Sequence, residues 1–270
     1  MNVNEAVRSA FEKENIFELE FLSVSDLPIN KSYLLPNDAK TAVVWLLPYY
    51  VGRPSGNISL YARSRDYHEV SKLISERVIS SLKKEFPKDS FYNFADHSPI
   101  SEVYAASLAG LGVIGKNKLL INRRYGSFVF VCALFTTLEA DTAAVSEPKD
   151  CISCGKCMRE CPSGCAVSGK MENCLSGITQ KKGELTPSQE EAVVASGSVW
   201  GCDVCQLVCP MNEKAEKTPV TFFYEDRIES LDTETLLAMS DCEFSKRAFS
   251  FRGKAPLLRN LRLFERKNSL

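Results

Sequence analysis

Two groups of cysteines constrain this chain more than any other feature. Cys151, Cys154, Cys157 and Cys161, followed by Pro162, form a C-x2-C-x2-C-x3-C-P run, and Cys202, Cys205 and Cys209, followed by Pro210, form a shorter C-x2-C-x3-C-P run. The first spacing is the one in which three thiolates hold one [4Fe–4S] cube and the fourth reaches a second cube. Two cubes are satisfied if Cys209 joins Cys151, Cys154 and Cys157, while Cys161 joins Cys202, Cys205 and Cys174. Cys165 competes with Cys174 for that last place. Zinc also uses paired C-x2-C elements, but it has no need of the C-P tails or the additional thiols. A disulfide framework requires an oxidising compartment, and the stretch from Met1 to Phe11 is charged and has no apolar signal core. The spacing therefore predicts two [4Fe–4S] clusters.

With 270 residues, 44% hydrophobic and 25% charged, the chain has enough apolar material for one large domain or two modest ones. No stretch approaches the roughly 20 apolar residues of a membrane span, so a cytoplasmic protein without a membrane partner is expected. A formal charge of −1 gives no general attraction to nucleic acid, although Asn122–Arg124 and Arg252–Arg266 are local basic runs.

Apolar periodicity predicts helices over 4–15, 66–86 and 100–108, the second ending at Pro87. Strands are predicted at 41–47 and 91–95, and a hairpin joins 118–122 to 127–136 around Arg123-Arg124-Tyr125-Gly126. The tail offers a helix at 232–239 and a segment 244–266 with a turn at Arg252-Gly253-Lys254. Cys132 and Cys242 read as packed thiols. Few apolar residues lie between Cys151 and Pro210, so the clusters are expected to hold that module folded. The fold class is α+β: an N-terminal mixed α/β domain (1–145), a ferredoxin-like double [4Fe–4S] module (146–219) and a C-terminal helical tail (220–270).

A pair of cubes carries electrons and does no bond chemistry, so the N-terminal domain should hold what the electrons reduce. Its segments are specific. Tyr61-Ala62-Arg63-Ser64-Arg65-Asp66-Tyr67-His68, Asp96-His97-Ser98-Pro99, Ala109 through Asn117, Tyr125-Gly126-Ser127, Asn173-Cys174-Leu175-Ser176, Gly201 through Pro210 and Arg252-Gly253-Lys254 follow one another in an order that resembles the epoxyqueuosine reductase family. The resemblance spans about residues 40 to 262, in a short form without that family's C-terminal helical repeats. The family is related to reductive dehalogenases.

The resemblance implies a cobalamin-dependent iron–sulfur enzyme that removes the epoxide oxygen of epoxyqueuosine in a tRNA anticodon loop. The cofactor does the hard chemistry, and the protein supplies position, electrons and a proton. It implies Asp96 as general acid, which must then be protonated at neutral pH. From the residues alone, Asp96 equally reads as the cap of the next helix. His97 departs from the small residue usual in the family. Tyr61, Asp96, Lys116, Asn117 and Asn122 fall where the family contacts the corrinoid, and Ser176 and Asp203 where that cofactor nears the second cube. A low-potential donor such as ferredoxin or flavodoxin and a monomeric state are implied. Competing readings are a corrinoid-dependent reductase of a small molecule and a two-cluster electron carrier without corrinoid. Co-purifying cobalamin separates the carrier from the enzymes, and salt-dependent tRNA affinity separates the two enzymes.

Overall fold

The computed structural model describes residues 2–53, 55–145 and 147–268, without the side chains of 267 and 268; Met1, Pro54, Ser146, Ser269 and Leu270 lie outside the described residues. The chain divides into two compact units, each assembled from three stretches. Unit 1 is Met1–Tyr50, His68–Ser153 and Lys214–Thr221; unit 2 is Val51–Tyr67, Cys154–Glu213 and Phe222–Leu270.

Unit 1 is built on an antiparallel sheet in the order β1-β2-β6-β3, with β1 Leu19–Ser23, β2 Thr41–Pro48, β3 Phe91–Ala95 and β6 Val129–Thr136. All eight residues of β2 are buried, as expected of a central strand covered on both faces. Ala42, Val44 and Leu46 pack with Ala105, Ala106 and Leu108 of helix α3, Glu102–Leu108. On the other face Trp45 meets Phe11 of helix α1, Val3–Glu12, at 5.3 Å between ring centroids. Asn2 and Glu5 close a capping box at the start of α1. Helix α2, Tyr67–Glu85, buries Val70, Ile74, Val78 and Leu82 but leaves Leu73 exposed.

The sequence expectation departs from this unit at two places. Strand β1 was missed because its burial does not alternate: Leu19, Phe21 and Leu22 are all buried. The predicted hairpin of 118–122 with 127–136 does not form. Strand β5, Leu120–Ile121, pairs instead with β4, Val113–Ile114, and β6 has both edges taken by β2 and β3. Only an Asn122–Gly126 bridge remains, because Asn122 Oδ1 accepts from the backbone N–H groups of Arg124 (2.8 Å) and Tyr125 (3.0 Å) and curls the segment.

Unit 2 is made of short helices: α4 Lys156–Arg159, α5 Cys165–Ser168, α6 Leu175–Gln180, α7 Pro187–Ser196, α8 Val204–Leu207, α9 Thr233–Ala238, α10 Asp241–Ser245 and α11 Lys254–Asn268. Its apolar content exceeds the expectation from the cysteine stretch alone. Trp200 is fully buried among Ile58, Ala62, Leu231, Phe249 and Leu257, and a second cluster joins Leu175, Ile178, Leu185 and Val193 to Leu263 of α11. The first cluster joins Trp200 to distant stretches, but Leu175, Ile178, Leu185 and Val193 of the second lie between Cys151 and Pro210, so the sequence expectation undercounted the apolar residues of that segment. Cys132 is a buried thiol whose pKa burial raises, but Cys242 is exposed on α10, contrary to its expected packing.

Candidate metal centre and active-site residues

Seven of the eight predicted cluster ligands lie in unit 2; Cys151 ends unit 1, where its N–H donates to Ile114 O at 3.2 Å. Helices α4 and α8, which carry Cys157 and Cys205, pack on each other and so join the two cysteine groups in one module. Gly155 and Gly164, both left-handed, start α4 and α5 immediately after tight turns around the ligand positions. Among the described residues no three Cys, His, Asp or Glu side chains gather closely enough for a single metal ion. A cube asks for something else, one thiolate at each of four separated corners.

The competition between Cys165 and Cys174 takes a physical form here. Cys165 is buried, with its Sγ 3.6 Å from Cys161 Sγ. Burial pushes the Cys165 thiol up to about 12, while the backbone at Ala166 and the Cys165 thiol hold Cys161 below its ordinary value against its own desolvation. Cys165 is thus in contact with the sulfur of Cys161, one of the predicted ligands. Burial likewise pushes Cys202 up to about 11, with Asp203, Cys174 and Cys161 adding to the rise. Binding a cluster there releases protons.

The corrinoid candidates divide between the units: Asp96, Lys116, Asn117 and Asn122 in unit 1, and Tyr61, Ser176 and Asp203 in unit 2. In unit 2, Gln180 donates to Tyr61 OH (3.0 Å) and Ser176 Oγ (3.2 Å), and Trp200 Nε1 also donates to Tyr61 OH (3.0 Å). Asp203 accepts from Ser59 Oγ at 2.6 Å and from Leu60 N at 2.7 Å; burial raises its pKa despite these bonds. Its carboxylate ties the 59–60 segment to the cysteine module. Gly201 serves the same approach, because a Cβ there would stand 2.4 Å from Ser59 Cβ. Arg63 of the Tyr61–His68 string is buried and donates through Nε to Ile58 O.

In unit 1, Asn122 donates to Glu18 Oε2 (2.9 Å) and Leu111 O (2.7 Å), so its amide already organises a turn. Lys116 is exposed, 3.8 Å from Asp150, and Asn117 is half-buried on the β4–β5 turn. These last two present ammonium and amide groups, which suits the amide-rimmed periphery of a corrin.

Asp96 is not a helix cap. Ser101 holds the N-cap position of α3, whereas Asp96 directly follows the last residue of β3, with φ 65°. A left-handed aspartate at a strand end is a strained arrangement of the kind that gathers at functional sites. Its side chain is 68% exposed, 3.7 Å from His68 Nε2. His97 Nδ1 lies 3.2 Å from Lys31 Nζ. Sequence reasoning passed over Glu102, whose half-buried carboxyl stands beside Asp96; its only signal was an acid in the first turn of a helix, which is ordinary. It also passed over Gln180, Ser59 and Glu18, polar partners that only the fold brings to their sites.

Residues 150–212 match the model of the 4Fe-4S double cluster binding domain. A curated relative from Leadbetterella byssophila (strain DSM 17132 / JCM 16389 / KACC 11308 / NBRC 106382 / 4M15), named epoxyqueuosine reductase, is 32% identical over 206 residues, covering 74% of this chain and 67% of the relative. This chain belongs to the epoxyqueuosine reductase family. The reductase of Francisella cf. novicida (strain Fx1) is 34% identical over 198 residues, covering 70% of this chain and 54% of the relative. The chain spans about half the length of the first such relatives. A crystal structure of an epoxyqueuosine reductase with a tRNA-Tyr epoxyqueuosine-modified tRNA stem loop superposes with a TM-score of 0.82 at 24% identity, over 97% of this chain and 80% of that one, and so shares the fold. The chain thus carries a double 4Fe-4S module in a mixed α/β fold, and no described helix is long and apolar enough to cross a membrane.

Proposed function

We propose that this chain reduces epoxyqueuosine to queuosine in tRNA, using two [4Fe–4S] clusters and cobalamin. Asp96 carries the reading. A family member with a double-cluster module also presents an exposed carboxyl, held in a strained turn at the edge of its sheet beside His68. The clusters are held by Cys151, Cys154, Cys157 and Cys209, and by Cys161, Cys174, Cys202 and Cys205, with the Cys165 sulfur 3.6 Å from that of Cys161. Lys116 and Asn117 hold the corrin periphery in unit 1, and Tyr61 and Ser176 offer polar contacts in unit 2. When bound, cobalamin supplies the reducing centre that passes electrons from the clusters to the epoxide carbons.

Deoxygenation consumes two electrons and two protons, breaks both C–O bonds of the epoxide, forms a C=C bond and releases water. Asp96 delivers a proton to the departing oxygen. The electrons come from a low-potential ferredoxin or flavodoxin, and the protein acts as a cytoplasmic monomer. The division into a cobalamin and substrate domain (1–145), a cluster module (146–219) and a supporting helical tail (220–270) belongs to the same reading.

The test is anaerobic turnover of an anticodon stem loop carrying epoxyqueuosine, followed by nucleoside mass spectrometry. Queuosine is expected from the reconstituted protein. Asp96→Asn should keep its iron and bound cobalamin and lose product by about a hundredfold or more. Product formation at the wild-type rate by that variant, or none by the wild type, would overturn the proposal.

A further inference from the structure

The deoxygenation proposed above draws its two electrons from outside the protein. Electron transfer slows steeply with distance, so a carrier has to reach a cube where it comes to the surface. Among the described residues, Cys154 alone of the eight cysteines assigned to the clusters is exposed, and the other seven are half-buried. The corner of the first cube at Cys154 is therefore the accessible one.

That corner is framed by charge. Cys154 leads into α4, whose short run exposes Lys156 and Arg159. Arg159 Nη1 donates to Cys154 O at 3.2 Å, and a Cβ at Gly155 would stand 3.2 Å from the same nitrogen, so the guanidinium lies over the Cys154–Gly155 backbone. Neither Lys156 nor Arg159 has a carboxylate partner among the described residues, and Glu160, at the end of the helix, pairs with neither cation.

We propose that Cys154, Lys156 and Arg159 form the docking surface of an acidic iron–sulfur carrier protein, which delivers electrons to the first cube. The inference rests on the cluster assignment in the functional reading above and adds to it a place and a partner. A cube with its four thiolates carries net negative charge and repels a carrier ringed by carboxylates. Two unpaired cations at the exposed corner offset that repulsion and steer the encounter. The kind of carrier follows from the same surface. The flavin of a flavodoxin presents an apolar ring edge, whereas α4 exposes no large apolar side chain to receive one. Each encounter passes one electron: the carrier's cluster is oxidised and the first cube is reduced, so two encounters supply the two electrons of one deoxygenation. Contacts of this kind are small and short-lived, and charge acts on them through the rate of arrival.

The experiment follows reduction of the reconstituted full-length protein by anaerobic stopped-flow absorbance, with a reduced plant-type [2Fe–2S] ferredoxin as the probe and no RNA present. The second-order rate should fall steeply with added salt. Lys156→Glu and Arg159→Glu should each slow it about tenfold or more at low salt and flatten the salt dependence, while Arg159→Lys stays near wild type. Photoreduced deazaflavin, a small reductant that needs no docking, should reduce every variant at the wild-type rate, and iron content reports an intact module. Because Arg159 also bonds the turn, Lys156→Glu carries the test if the Arg159 variants lose iron. A Lys156→Glu protein with full iron and an unchanged ferredoxin rate would overturn the docking surface, as would charge dependence with a flavodoxin and none with ferredoxin. Either result leaves the functional reading standing. A wild type that assembles fewer than two cubes would instead overturn the cluster assignment, and the docking surface with it.

Discussion

Glu102 bears on stability. Its folded value of about 7 lies above the ordinary 4.5, so between these values the folded protein holds more proton than the unfolded chain. Stability therefore falls as pH rises through that window, and the loss is complete above about pH 7. Glu102→Gln removes this loss. The variant should gain on the wild type with rising pH, by up to about 3 kcal/mol at pH 8, in anaerobic denaturant titrations at pH 4.5 and 8. A constant difference across pH would show that the buried carboxyl is not the cause. The cysteines give another prediction at this scale. Cys174→Ala should lose about one cluster of iron. Cys165→Ala should keep both and shift a cluster potential, because a thiol in contact with a ligand sulfur tunes the cluster without holding it. The reverse outcome in iron analysis would exchange the two roles. The cysteine spacing proposes seven ligand positions and leaves the eighth between these two. It could not reveal Glu102, since burial of one helical acid depends on what the fold lays over it.

Among the elements, α11 bears the most on the cluster module. Arg259 on this helix donates to the carbonyls of Lys181 (2.6 Å) and Gly183 (2.7 Å), and Asn260 donates to those of Thr179 and Val199. The positive guanidinium caps the C-terminal end of α6, where free carbonyls favour a cation. Part of the basic run 252–266 is thus structural, while Arg262 and Arg266 stay exposed for an anionic partner. Arg259→Ala should destabilise unit 2 by about 2 kcal/mol in chemical denaturation, because several carbonyls lose a charged donor. Arg262→Ala should leave stability unchanged and weaken RNA binding with a reduced salt slope. The helices at 67–85 and 233–238 and the strands at 41–48 and 91–95 were legible because each carries a clean period or an unbroken apolar run. Strand β1 and the β4–β5 pair were not, since each is defined by its pairing partner more than by its own pattern.

At the scale of the whole molecule, the apolar clusters of unit 2 alter what iron removal should do. The sequence alone suggested that the module collapses without metal. Trp200 packs against Phe249 and Phe251, at 6.2 and 5.8 Å between ring centroids, in an apolar core made of side chains alone. In a Trp45→Phe background, which leaves Trp200 as the sole tryptophan, chelation should therefore unravel the cysteine loops and lower the helix signal while the emission maximum stays native. A red-shifted tryptophan spectrum on chelation would show that the clusters hold this core as well.

The threading of unit 2 through three separate stretches sets a timetable for its manufacture. Segment 51–67 emerges from the ribosome long before the tryptophan and cysteines it packs against, and α11 follows later still. Ile58 and Ala62 must wait, unburied, while unit 1 is synthesised. Asp203 cannot fasten the 59–60 turn until that waiting ends, nor can Arg259 close α6 before its own helix appears. Iron delivered to the nascent chain before α11 has closed on α6 would meet a module whose contacts with that helix are still missing.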